Sequence, residues 1–343
     1  PHKPGSVEKF KESYPADFIC EAIDQTRGWF YTLMTIGTLV FDKSSYKTVL
    51  CLGHILDKDG RKMSKHVGNV LEPMALMDQH GADAVRWYML AAGSPWAARR
   101  VGHDAINEVV RKTLLTYWNT VSFHALYANA SAFDLSQRTK IADRPLMDRW
   151  IISELNLLIE EVDAALTDFD SQVAGRALAR FIDDLSNWYV RRSRRRFWDG
   201  DVSALSTLHE CLVTLTQLLS PMVPFITEQV WQELVIPADS SAVASVHLSD
   251  FPVANAAVID RELGGQVALT RRIVELGRAS RAESGIKIRQ PLGRALIAAS
   301  GWAALPEQMR EQIADELNVI DLQDIANADG DLVDISVKAN FKS

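Results

Sequence analysis

Apolar and polar positions divide the chain into two kinds of segment. Residues 1–16 are loop-like, with Pro1, Pro4, Gly5 and Pro15. From Phe18 to Val40 the apolar positions Ile19, Ile23, Trp29, Phe30, Leu33, Met34, Ile36 and Leu39 leave few polar sites, which predicts a long buried helix. Gly28 and Gly37 interrupt it. The run 49–56 (VLCLGHIL) predicts a strand, closed by a turn at Asp57-Lys58-Asp59-Gly60. Pro73 opens a helix through His80, and Asp83 is placed to cap the next, 84–92. From residue 104 onward the pattern becomes successive long helices, about 104–127, 145–166, 170–197, 203–219 and 222–235, with short breaks that predict an antiparallel bundle. Leu155, Leu158, Ile159, Val162 and Leu166 form its clearest apolar stripe, read as core packing. An extended piece at 243–248 follows, then a helix at 261–283. Strand candidates at 285–289, 295–299, 318–322 and 332–337, with a helix at 306–316, predict a small α+β domain. The resulting boundaries are 1–102, 103–255 and 256–343.

Composition changes this picture little. Hydrophobic residues make up 47% and charged residues 24% of the 343, an ordinary globular balance. The formal net charge of −7 does not exclude nucleic acid, because binding follows local patches. Cys20, Cys51 and Cys211 are widely spaced within apolar stretches and read as buried thiols of a reducing compartment, with no disulfide framework or metal-ligand spacing. No apolar run of membrane-spanning length is read from the pattern, so no membrane partner is expected.

Four stretches carry candidate chemistry. In the cationic loop Gly60-Arg61-Lys62-Met63-Ser64-Lys65-His66-Val67-Gly68-Asn69, two lysines lie between a strand end and a helix start, where a polyphosphate is readily held. In the apolar segment, Glu21, Asp24, Gln25 and Arg27 lie within a turn or two of one another; they form either an internal ion-pair network or a polar pocket wall. Residues 187–198 (NWYVRRSRRRFW) put Arg191, Arg192, Arg194, Arg195 and Arg196 on one helix bracketed by aromatics. This is either a solvated, salt-bridged face or an RNA-binding one. Finally, Lys287 and Arg289 alternate outward on the 285–289 strand, as a plain surface or a tRNA contact.

The loop resembles the second signature of class I aminoacyl-tRNA synthetases, with His66 where the usual motif ends in serine. The run DQTRGWF (24–30) is similar to the form this region takes in isoleucyl-tRNA synthetases, and WYVRRSRRRFW (188–198) resembles their anticodon-binding helical domain. Residues 285–292 (GIKIRQPL) and 316–319 (ELNV) are similar to their region after the bundle. The resemblance covers essentially the whole chain. It implies the later part of a nucleotide-binding, Rossmann-like catalytic domain, then an all-α anticodon-binding bundle and a small α+β domain. By position it implies Lys62 and Lys65 as the catalytic phosphate residues. Glu21, Asp24, Gln25, Gly53, Lys62, Met63, Ser64 and Lys65 would then line the adenylate and ATP site, with Trp188, Arg191, Arg192, Arg194, Arg195, Arg196, Lys287 and Arg289 toward tRNA. The implied reaction joins isoleucine to ATP, with Mg2+ held mainly by the ATP, and then to tRNA(Ile). The implied protein is a cytoplasmic monomer without zinc in this segment. The paired-histidine first signature and the editing domain would lie before Pro1, so the isolated chain is expected to bind tRNA weakly and not to activate isoleucine. A valyl-type enzyme, a non-catalytic tRNA-binding protein derived from a synthetase, and an unrelated helical protein with a basic stripe remain alternatives.

Overall fold

The computed structural model describes residues 5–64 and 66–327. The chain divides into two compact units, residues 1–259 and 260–343.

The first unit opens with helix α1 (Ser6–Ser13) and a βαβ arrangement: strand β1 (Ala16–Ala22), a 3-10 turn (Ile23–Arg27), helix α2 (Trp29–Phe41) and strand β2 (Tyr46–Leu52). β1 and β2 pair in parallel, from Ala16 opposite Tyr46 to Ala22 opposite Leu52. The single helix expected over 18–40 is therefore a strand, a turn and a helix. Ile19 and Ile23 alone carried the helical period in its first half. An alternating segment flanked by a partner strand satisfies its backbone better as sheet. Nor is α2 buried: Phe30 and Gly37 are, but Trp29, Tyr31, Ile36, Leu39 and Val40 are exposed.

Short strands β3 (Ile55–Leu56) and β4 (Arg99–Arg100) form a second parallel pair. Between them lie the lysine loop and helices α3 (Pro73–His80) and α4 (Ala82–Ala91), with Pro73 at the first turn of α3 as expected. These are separate two-stranded pieces of mixed α/β structure.

The bundle follows. Helix α5 (His103–Val109) continues through a π turn into α6 (Leu115–Ala130). Then come α7 (Leu146–Thr167) and α8 (Ser171–Asp183), the latter running through a second π turn into α9 (Arg191–Trp198). Helices α10 (Val202–Leu219) and α11 (Pro224–Val230) complete it. The predicted stripe is core: Leu155, Leu158, Ile159 and Val162 are buried, beside Ile151, Ile152, Leu178, Leu205 and Leu212. Helix α10 is long and apolar enough to cross a membrane by length and composition, but 67% of it is buried inside this bundle. The piece at 243–248 is not a strand; it ends in a 3-10 turn (Val246–Leu248).

Asp83 does not cap its own helix, whose N-terminal neighbour is Gly81. Its carboxylate instead accepts the N–H groups of Phe225 (3.3 Å) and Ile226 (2.7 Å), capping α11 from 142 residues away. Desolvation raises its pKa, and these two hydrogen bonds offset only part of that rise. Asp83→Ala is expected to destabilise the first unit by about 1–2 kcal/mol, the cost of a lost cap, measured by urea unfolding.

The second unit pairs α12 (Arg261–Glu283) with α13 (Glu307–Leu317), beside the parallel strands β5 (Leu292–Ile297) and β6 (Val319–Asp324). The strand expected at 285–289 is a loop. Arg281, buried on α12, donates to the carbonyls of Lys287 (3.1 Å), Gln290 (3.0 Å) and Asn318 (3.1 Å), which curls the segment instead of extending it. Lys287 and Arg289 are exposed on that loop, not alternating along a strand. The strand expected at 332–337 lies outside the described residues.

Candidate functional site

The carboxyl ends of β1 and β2 meet at one edge, where ligands sit in parallel α/β folds. Glu21 is opposite Cys51 near the end of β1, and its Oε2 accepts the Ala22 N–H (3.0 Å). Asp24 and Gln25 occupy the following turn. Gln25 Oε1 accepts the Trp29 N–H at the start of α2 (2.8 Å), while its amide nitrogen donates to Asp24 Oδ2 (3.3 Å). Gly28 makes that cap possible, since a Cβ there would lie 2.7 Å from Gln25 Oε1. Glu21, Asp24 and Arg27 are exposed, and among the described residues no ion pair joins Arg27 to either acid. The internal network weighed for this cluster is thus not what the structure contains. Gly53 follows β2, its N–H donating to the Pro95 carbonyl (2.9 Å). An added Cβ would lie 2.2 Å from the Ala97 carbonyl oxygen, so backbone packing alone demands glycine there.

Beyond Gly53 the chain enters β3, and the lysine loop follows that strand. Its scaffold is Asp57, a residue that loop composition alone did not single out. Asp57 is 5% exposed. Its Oδ1 accepts the N–H groups of Asp59 (3.0 Å) and Arg61 (2.8 Å). Its Oδ2 accepts from Arg61 Nε (3.1 Å) and Asn69 Nδ2 (2.8 Å). The Asn69 and Arg61 hydrogen bonds hold its pKa at about 2, against the desolvation that opposes them. Gly60, at φ 82°, closes the turn. Lys62 bridges antiparallel to Leu56, which fixes the ascending limb of the loop. Ser64 receives the Val67 and Gly68 N–H groups on its carbonyl (3.1 Å each), and its hydroxyl accepts the His66 N–H (3.2 Å). Met63 is half-buried between them. Lys65 lies outside the described residues.

The arginine helix sorts its members. Arg196 is turned inward: Nη1 and Nη2 donate to the two oxygens of Asp148 (2.6 and 2.8 Å), and Nε donates to Asp201 (2.9 Å). Asp148 is fully buried and also accepts the Tyr189 hydroxyl (2.9 Å). Burial works against the Arg196 charge, but the hydrogen bonds to Asp148 and Asp201 outweigh it and raise its pKa. Arg196, grouped on sequence with the RNA-facing arginines, is an internal strut. Trp188, grouped with them too, is buried, with the Arg191 guanidinium 5.7 Å from its ring centre. A helix with arginine in five of six positions must turn some of them into the bundle, and periodicity alone does not name which.

Arg194, Arg195 and Trp198 face outward, while Arg191 and Arg192 are half-buried. With Asp199, and with Phe123, Leu126 and Tyr127 of α6, Arg194, Arg195 and Trp198 line an open groove of about 660 Å³. The Phe123 and Tyr127 rings lie 4.6 Å apart. Sequence reading passed over these α6 residues; their i, i+4 aromatic spacing was the available signal.

Two family models match the chain. One, described as tRNA synthetases class I (I, L, M and V), matches residues 2–100, and the other, an anticodon-binding domain of tRNA ligase, matches 148–297. An isoleucine–tRNA ligase of Streptomyces coelicolor is 62% identical over 98% of this chain. This chain is homologous to the isoleucine–tRNA ligases of the class I synthetase family. Another such ligase, from Thermobifida fusca, is 59% identical over 100% of it, and one from Deinococcus radiodurans is 45% identical over 98%. The chain spans about a third of these relatives' length: 32%, 33% and 31%. Among solved structures, the LeuRS of Agrobacterium radiobacter K84, in a ternary complex with tRNA and LeuAMS, shares the fold over 72% of this chain and 29% of its own. The TM-score is 0.56 at 21% identity. In this family frame, the mixed α/β segment corresponds to the synthetase model and most of the helical bundle to the anticodon-binding model.

Proposed function

We propose that the chain is the portion of an isoleucine–tRNA ligase that supplies the ATP-phosphate loop, one wall of the aminoacyl-adenylate pocket and the anticodon-binding bundle. One observation carries this reading: the chain that leaves the carboxyl end of β2, the strand paired with the one that bears Glu21, passes within three residues into β3 and from there into the lysine loop. In this reading the α/β segment is part of a Rossmann-like domain. The substrate is ATP with its Mg2+, and the isoleucine carboxylate attacks the α-phosphorus with release of pyrophosphate. Lys62 and Lys65 stabilise the negative charge developing on the phosphates. Glu21 or Asp24 meets the amino acid's ammonium or a ribose hydroxyl, and the Gln25 amide nitrogen, which also donates to Asp24, gives its second hydrogen to the ligand while the amide oxygen caps α2. No protein nucleophile is required, because the site supplies orientation and charge. Isoleucine-dependent ATP–pyrophosphate exchange by the full-length protein containing these residues tests the reading, with valine as the competing amino acid. Exchange that prefers valine, or none with either, sinks it.

On the bundle, the α6–α9 groove takes RNA through Arg194 and Arg195, with stacking on the Trp198 and Tyr127 rings. Arg194→Ala/Arg195→Ala is expected to weaken tRNA binding and to reduce the slope of log K against log salt by roughly 1.5. Filter binding at several ionic strengths reads both. An unchanged slope removes these residues from the interface.

A further inference from the structure

We infer that Asp57 and Asn69 form a clamp that positions the lysine loop for adenylate formation; this rests on the phosphate-loop reading above. Asn69 stands between the two limbs of the loop. Its Oδ1 accepts the Ser64 N–H (2.8 Å), and its Nδ2 donates to the Lys62 carbonyl (3.2 Å) and to Asp57 Oδ2 (2.8 Å). A single side-chain amide therefore ties the backbone on both sides of Met63 to a carboxylate at the root of the loop. Asp57 in turn is fixed by the turn N–H groups of Asp59 and Arg61 and by the Arg61 guanidinium. All of its hydrogen-bonding capacity is spent on the root of the loop and on Asn69, which suits a part that sets geometry rather than one that meets substrate.

The clamp is separable from the fold around it. The parallel pairing of β3 with β4, the Leu56–Lys62 bridge and the N–H groups of Val67 and Gly68 on the Ser64 carbonyl are all main-chain contacts. Removing the Asn69 side chain leaves them in place while releasing the Ser64 N–H and the Lys62 carbonyl. The strand pair then persists, and the Lys62 side chain loses its fixed origin. A misplacement of about 1 Å at a charge-stabilising group is enough to cost a large factor in rate.

Asn69→Ala and Asp57→Asn are to be made in the full-length protein and in a Lys62→Ala/Lys65→Ala background. Pyrophosphate exchange is measured separately from the transfer of isoleucine from preformed enzyme-bound adenylate to tRNA, with thermal unfolding as a check on folding. The clamp predicts a fall of about tenfold or more in exchange kcat, with transfer rate unchanged and a cooperative unfolding transition still well above the assay temperature. It also predicts little further loss in the lysine-less background, since residues acting as a unit are non-additive. Exchange within twofold of the parent, equal losses in both half-reactions, or losses that multiply in the lysine-less background overturn the clamp. Full exchange by the Lys62→Ala/Lys65→Ala protein itself overturns the phosphate-loop reading instead.

Discussion

Replacing Asp148 with alanine lowers the unfolding free energy of the first unit by an expected 3–5 kcal/mol, about the cost of leaving one member of a buried ion pair without its partner. The effect is large because three hydrogen bonds converge on this carboxylate. Arg196 gives it two hydrogen bonds, and the Tyr189 hydroxyl gives a third. Without it the guanidinium keeps Asp201, while Tyr189, itself fully buried, keeps no acceptor there. One residue earlier on α9 the same chemistry has the opposite weight. Arg195 has a side chain 94% exposed, and its carboxylate partner Asp199 stands 3.9 Å off. Arg195→Ala is therefore expected to move stability by less than about 0.5 kcal/mol. Urea unfolding of the two variants side by side checks the contrast. Equal, small effects would mean that the Asp148 cluster does not hold α7 against α9.

Mild acid is the second strong perturbation. His124 and His209 are buried in the bundle with ring nitrogens 3.4 Å apart, beside a small cavity of about 250 Å³. Burial, and then the neighbouring His209, holds the His124 pKa at about 3. Burial, and then Arg138, holds that of His209 at about 4, with Asp239 acting the other way. Both folded-state values lie below the ordinary 6.5, so the unfolded chain binds more protons as the pH falls. Their contribution to stability is fully present above pH 6.5 and is lost progressively below it, down to about pH 4 and 3. Each histidine adds a slope of up to about 1.4 kcal/mol per pH unit in that window. Asp57, also depressed, acts only in a lower window: its contribution is present above the unfolded carboxylate value and is lost toward pH 2. Urea midpoints at pH 7, 6 and 5 are expected to fall steeply, and His209→Gln to flatten the fall by about half. A midpoint constant from pH 7 to 5 would refute the account.

The bundle was legible in the sequence because each of its helices buries a single stripe, and a stripe has a period. The stretch from Phe18 was not. There a seven-residue strand and an apolar helix are joined by a five-residue 3-10 turn with no proline in it, and the glycine at 28 marks the junction rather than a flaw within one helix. The loop announced itself through its lysines, but what holds it did not, because Asp57 and Asn69 lie twelve residues apart and meet only once the turn has closed. Asp83 misled for a related reason: a capping residue beside a helix start looks local, and its real client is distant. Among the arginines, the sequence showed the cluster, whereas the division into strut and groove wall depends on where Asp148 sits on another helix.

That distant client sets a timetable for synthesis. Besides Asp83, Arg86 of α4 donates to the carbonyls of Pro221 and Met222, and the Ser171 hydroxyl donates to the Leu90 carbonyl. On a ribosome adding about 5–20 residues per second, Asp83 waits on the order of ten seconds for Phe225 and Ile226 to be made. Ser171 arrives sooner, 81 residues after Leu90. Over that interval α4 has α3 and α5 beside it but lacks α11, and lacks α8 for the first part. The apolar side of Ala84, Trp87 and Ala91, buried in the finished fold, is completed only as α8 and then α11 are made, and until then it is a surface on which a nascent-chain chaperone can act.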